Sequence, residues 1–127
     1  MTRGKKTAAK KPATKKTGAT GRRAAAAAND TDLAMVETAS SAVTEIDRRY
    51  RKATINDQIK LKPKRDEAFA AYSLARLKLL EAGTISTDHD LADMLALKAE
   101  IDRAAITQDL IIAAARVAIF LAKLAAK

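Results

Sequence analysis

The apolar positions of this chain recur with a helical period. Val36, Ala39, Val43, Ile46, Tyr50 and Ala53 follow one another at intervals of three and four, a heptad-like stripe. Asn29-Asp30-Thr31-Asp32 precede it with capping residues and early negative charge. After Thr54 the phase shifts to Ile55, Ile59 and Leu61, and Asn56-Asp57 offers a break. Lys62-Pro63 is expected to end whatever helix reaches it, because the residue before proline avoids the helical region. A second helix is expected to start near Pro63, with Asp66 and Glu67 in its first turn. Ala68, Tyr72, Ala75 and Leu79 form its stripe, Phe69, Leu77 and Leu80 widen it, and Gly83 stops it. A third helix opens at Ser86 or Thr87, with Asp88 and Asp90 behind. No Gly or Pro follows, so it is expected to run to the C-terminus over about 40 residues, about 60 Å. Its first part places Leu91, Met94, Leu95 and Ile101 inside and Lys98, Glu100, Asp102 and Arg103 outside.

The second part of that helix is different. Residues 110–122 read LIIAAARVAIFLA, with Arg116 as the sole charge. Leu110, Val117, Leu121 and Leu124 share a bulky face, and Ala114, Ala115, Ala118, Ala122 and Ala125 share a small one. A helix so apolar around its girth must be covered on most sides. A lone helix of this length would outrun its neighbours, so Leu110, Ile112, Val117, Phe120, Leu121 and Leu124 are expected to form an oligomer interface. Polar residues are confined to a strip of Asp102, Asp109, Arg116 and Lys123, and Arg116 is expected to make a buried ion pair between helices. The apolar run is too short and too interrupted to span a bilayer. The reading is therefore all-α: three helices (about 30–61, 63–82 and 87–126) in a helical bundle or coiled-coil-like assembly.

Composition agrees and narrows the chemistry. The chain has 127 residues, 30 of them alanine, with two Phe, two Tyr, one His and neither Trp nor Cys. That size suits one domain. Alanine favours helices, and the scarcity of β-branched and aromatic residues argues against an all-β fold. Without cysteine there is no disulfide framework, thiol nucleophile or zinc finger. His89 and Asp93 sit four apart and could face one another, but no further metal ligands are indicated, and capping explains the acids beside them. Gly18-Ala19-Thr20-Gly21 lacks both the Walker pattern and a preceding strand. With no nucleophile–base pair evident, no enzymatic activity, metal or cofactor is expected.

The net charge of +9 changes the picture most. Residues 1–28 hold nine bases and no acid: Arg3 and then Lys5, Lys6, Lys10, Lys11, Lys15, Lys16, Arg22 and Arg23. The remaining chain is neutral, so the whole excess lies in this arm. It contains no large apolar side chain beyond the initiator Met and should be disordered when free. The domain organisation expected is an arm over 1–28 and a helical oligomerisation domain over 29–127. Lysine pairs every four to six residues on an extended chain suit a line of phosphates without reading bases. The composition resembles the lysine–alanine–proline tails of linker histones and of some bacterial nucleoid proteins. Lys10-Lys11-Pro12-Ala13-Thr14-Lys15-Lys16 with Arg22-Arg23 also resembles a nucleoplasmin-type import signal. No apolar run follows the basic start, so no secretory signal is expected.

A second basic cluster, Arg48, Arg49, Arg51 and Lys52, flanks Tyr50, an aromatic that could stack on a base. A solvated helix end, with Tyr50 in the core, explains the same residues. The expectation is a non-enzymatic, nucleic-acid-associated protein, binding DNA or RNA backbone without sequence specificity through the arm and this cluster. Its body self-associates, and it works inside the cell, nucleoid-like or within a nucleoprotein particle. The alternative is a structural assembly subunit, a virion, filament or adaptor component, whose arm touches enclosed nucleic acid or a neighbour. A membrane role is not expected, because an interfacial helix needs a wider charged face than residues 110–127 offer.

Overall fold

The computed structural model describes residues 30–82 and 85–127. They form four helices: α1 (Asp30–Lys52), α2 (Ile55–Ala82), α3 (Asp88–Arg103) and α4 (Thr107–Ala125). The fold is all-α, as the periodicity predicts, with no strand among the described residues. The helix count is corrected from three to four: the first break falls earlier than expected, and an additional break divides the last helix.

The first break comes earlier than Pro63. α1 ends at Lys52, and Thr54 starts α2 by accepting the Asp57 N–H on its hydroxyl at 3.3 Å. The Gln58 side-chain amide donates back to the Tyr50 carbonyl at 2.9 Å, closing the end of α1. Pro63 lies inside α2. Its missing N–H leaves one carbonyl, that of Ile59, without its helical partner. Both Ile59 and Pro63 are exposed, so water can satisfy that carbonyl.

The second break divides the expected long helix. α3 starts where predicted, with a capping box: Asp90 N–H donates to the Thr87 hydroxyl, and Thr87 N–H to the Asp90 carboxylate, both at 3.0 Å. The chain then turns at Ala104-Ala105-Ile106, all good or neutral helix formers. Packing explains the turn. Folding α4 back on α3 brings the apolar girth of α4 against α2, its most extensive neighbour.

Around the bundle, α1 lies beside α2 and α3, and α4 lies beside α2 and α3. The core takes its largest fully buried side chains from all four helices: Met35 and Ile46, Leu61 and Leu79, Met94 and Ile101, Val117 and Leu121. Each such side chain contributes about 1.5–3 kcal/mol on burial. Alanines at 39, 42, 68, 71, 75, 113, 114 and 118 are buried between them and let the helices approach closely.

This packing overturns most of the expected oligomer interface. Leu110, Val117, Leu121 and Leu124 are buried in the protomer's own core and Phe120 is partly buried, leaving Ile112 as the exposed member at 49%. Leu95, expected inside, is exposed, as are Leu77 and Leu80.

Candidate nucleic-acid interface

The arm residues Lys5, Lys6, Lys10, Lys11, Lys15, Lys16, Arg22 and Arg23 lie outside the described residues. The short α1–α2 turn brings the basic end of α1 and the basic start of α2 together, so Arg48, Arg51, Lys52, Lys60 and Lys62 share one end of the bundle.

Much of that charge is matched internally. Glu45 receives Arg48 through Nε at 2.8 Å and through a second, shorter contact, and Arg49 Nε at 2.8 Å. Asp47 pairs with Arg51 at 2.9 Å and with Arg65 at 2.7 Å. Asp66 pairs with Lys62 at 2.6 Å and with Arg65 at 2.8 Å, and Glu67 with Lys64 at 3.4 Å. Among the described residues, no carboxylate lies within ion-pair distance of the exposed Lys52 or Lys60. The cluster is therefore a patchwork of pairs with Lys52 and Lys60 as its unmatched cations.

Arg49 is not a surface cation. Its guanidinium reaches across to the end of α3 and donates to the carbonyls of Ala104 at 2.6 Å, Asp102 at 3.1 Å and Ile101 at 3.2 Å. Those are the carbonyls a helix terminus leaves without intrahelical donors, and positive charge suits that end of the dipole. Arg49 thus works as a cap supplied by a neighbouring helix.

Of the two roles open to Tyr50, the structure supports the packing one. Its ring lies partly buried under the Arg65 guanidinium, 4.9 Å from the ring centroid, and Phe69 lies 5.2 Å from the same group. Asp47 and Asp66 hold Arg65 there. A face already covered by a cation is poorly placed to stack on a base.

The Arg48 guanidinium, followed by that of Arg49, holds the Glu45 carboxyl at about 2, below its usual 4.5. A folded-state value below the unfolded one adds stability above the unfolded value, and this is lost as pH falls through the folded one. In thermal melts from pH 6 to pH 2, wild type is expected to lose its advantage over Glu45→Gln between about pH 5 and pH 2. A difference that stays constant across that window would contradict the assignment. Lys62, then Arg65, likewise holds the Asp66 carboxyl below its ordinary range.

Arg116 does make an ion pair between helices, with Glu100 of α3 at 2.9 Å, but an exposed one rather than a buried one. It bridges an open groove of about 400 Å³ between α3 and α4. His89 and Asp93 form an exposed pair at 3.4 Å, and no cluster of three metal-ligating side chains occurs among the described residues. No helix among those residues is long and apolar enough to cross a membrane.

One buried polar group has no counterpart in the sequence pattern. Asp32, which the pattern assigns to the start of the first helix, is fully buried and reaches the segment before α3. It accepts the backbone N–H groups of Ser86 at 3.0 Å and Ile85 at 3.3 Å, and the Ser86 hydroxyl. Acidic residues at a helix start are the usual surface pattern, so nothing in the local sequence sets Asp32 apart.

No protein-family model matches the chain, and comparison with curated proteins and with solved structures returns no match.

Proposed function

We propose that this protein binds the phosphate backbone of nucleic acid without sequence specificity, through its N-terminal arm, and that its helical body self-associates and catalyses no reaction. One observation carries the reading: the two basic regions differ in kind. Residues 1–28 hold nine bases and no acid, whereas the bundle's own basic end is largely matched by Glu45, Asp47, Asp66 and Glu67. Only unmatched cations release counterions from a phosphate chain in proportion to the phosphates they neutralise. The arm is thus the main binding element, and Lys52 and Lys60 are accessory to it. Self-association multiplies weak binding by single arms, because it raises the effective concentration of the second arm.

The test is binding of a random-sequence duplex over a range of salt, for the full chain and for a chain lacking residues 1–28. The full chain is expected to show a steep fall of log K with log salt. Removing the arm should flatten the slope by about 0.9 for each phosphate it had neutralised. Equal affinity and slope for both chains would sink the mechanism. The assembly-subunit reading stays second, favoured by the exposed Leu74 of α2 and Ile119 of α4. It expects large, defined particles from the arm-deleted chain without nucleic acid.

A further inference from the structure

Three open hollows of about 250, 400 and 330 Å³ follow one another along the outer seam of α3 and α4, sharing Glu100, Asp93 and Lys123 where they join. The floor of this seam is apolar. Leu97 and Phe120 are half-buried in it, and Ile112 and Ile119 stand exposed on its α4 side. Ile112 and Phe120 are the two members of the face expected from sequence that the protomer's own core leaves accessible. The walls carry charge in a fixed order. α3 and α4 run antiparallel, tied by Asp90 and Lys127 at 2.7 Å and by Glu100 and Arg116 at 2.9 Å. The register between those two bonds sets Asp93 level with Lys123, and Arg103 lines the hollow nearest the turn with Asp109. At each of these four levels the two walls have opposite sign. Two levels are closed within the protomer and two are not. Among the described residues, Lys123, Arg103 and Asp109 make no ion pair, and Asp93 meets only the exposed His89.

We propose that the α3–α4 seam is the self-association surface, and that its occupant is the same seam of a second copy, related by a two-fold axis parallel to the two helices. Such an axis keeps every residue at its own height and lays α3 of each copy over α4 of the other. Asp93 then meets Lys123 of the partner subunit, and Arg103 meets Asp109 of the partner subunit, each contact occurring twice. The charges that the protomer leaves unmatched on this face are thus the ones a copy matches. The sign order inverts near the turn, where α3 offers a base and α4 an acid, and the copy inverts with it. A two-fold axis running across the helices would instead lay α3 on α3 and set Asp93 against Glu100, like charge on like. Ile112, Ile119 and Phe120 come together between the charged walls and supply the apolar centre of the contact. The inference rests on the self-association in the proposed function and adds the surface and the symmetry.

The experiment is sedimentation equilibrium of the full chain, nuclease-treated, across a wide concentration range. Wild type is expected to be a dimer that dissociates on dilution. Ile112→Glu and Ile119→Glu each place charge in the apolar centre and should weaken dimerisation by about 100-fold. Leu74→Glu, on α2 away from the seam, should leave it unchanged. All three positions are exposed, so helical circular dichroism should not change. Asp93→Lys and Lys123→Glu should each weaken the dimer by about 10-fold, and an equimolar mixture of the two variants should recover it. Recovery on mixing requires that the two charges meet between copies. The chain has no native cysteine. Under mild oxidation, Ile112→Cys should cross-link to its own copy, because the axis keeps that residue at one height, while Ser41→Cys on α1 should not. A chain monomeric throughout would overturn both this proposal and the self-association it rests on. A dimer that ignores the Ile112 and Ile119 substitutions, or a mixture that fails to recover, would overturn this surface and leave the self-association standing. Duplex binding separates the arm from both: Ile112→Glu should leave the salt slope per chain unchanged, and a flat slope with an intact dimer would count against the arm alone.

Discussion

Asp32→Ala is expected to destabilise the protein by about 3 kcal/mol, the largest loss from any single polar side chain in the bundle. The carboxylate is fully buried and gathers two backbone N–H groups and the Ser86 hydroxyl ahead of α3. Alanine leaves those donors without the carboxylate that accepts them. An unsatisfied buried donor costs about 1–3 kcal/mol, and part of the sum returns by relaxation. Domains of this size are stable by about 5–15 kcal/mol, so the change should be plain in urea unfolding as a lower midpoint at an unchanged slope. Asp32→Asn keeps the shape and one acceptor oxygen and should fall between the two. A midpoint for Asp32→Ala within error of wild type would show that the carboxylate does not tie α1 to the start of α3.

The second large effect is at Arg49, which its sequence neighbours would class as one more surface cation. Arg49→Ala is expected to cost about 2–3 kcal/mol, because the carbonyls of Ile101, Asp102 and Ala104 and the Glu45 carboxylate are deprived of one charged donor together. Arg48→Ala, one residue away and half exposed, removes only a surface pair and should change the unfolding midpoint far less. Amide exchange adds a local readout. In Arg49→Ala, protection should fall first around residues 101–106, where α3 gives way to α4, before the rest of the core opens. Equal effects of the two substitutions would contradict the capping role. The pair also bears on function: loss of duplex binding in Arg49→Ala should follow the loss of fold.

Lys127 illustrates how partners distant in sequence finish the bundle. Its ammonium donates to Asp90 at 2.7 Å and to the Ile85 carbonyl at 3.1 Å, fastening the end of α4 to the start of α3. That ammonium, followed by the Thr87 backbone, holds the Asp90 carboxyl below its usual range. The Asp90 capping box can be foreseen from Thr87 and its spacing, while the lysine 37 residues away cannot.

The α-helical class, the stripes of α1 and α2, and the start of α3 at Thr87 were determined by the sequence alone, because each depends on neighbours three or four residues apart. Ala39, Val43 and Ile46, or Ala68, Ala75 and Leu79, are buried as their spacing predicts. The start of α2 is also written locally, in Thr54 and Asp57, but Pro63 is the stronger signal, because a proline inside a helix is costly unless the freed carbonyl faces water. The tertiary structure alone decided the turn at residues 104–106, since Ala104, Ala105 and Ile106 carry no stop signal. It comes where folding back covers Leu110, Val117, Leu121 and Leu124, and where Arg49 is present to donate to the carbonyls. That one turn converts the expected oligomer face into core, moves the exposed apolar surface to Leu74 and Ile119, and brings Glu100 to Arg116. The physical reason is that burial free energy is summed over the whole chain, whereas helix propensity acts residue by residue. Where propensity is nearly indifferent, as along this alanine-rich stretch, packing chooses the break.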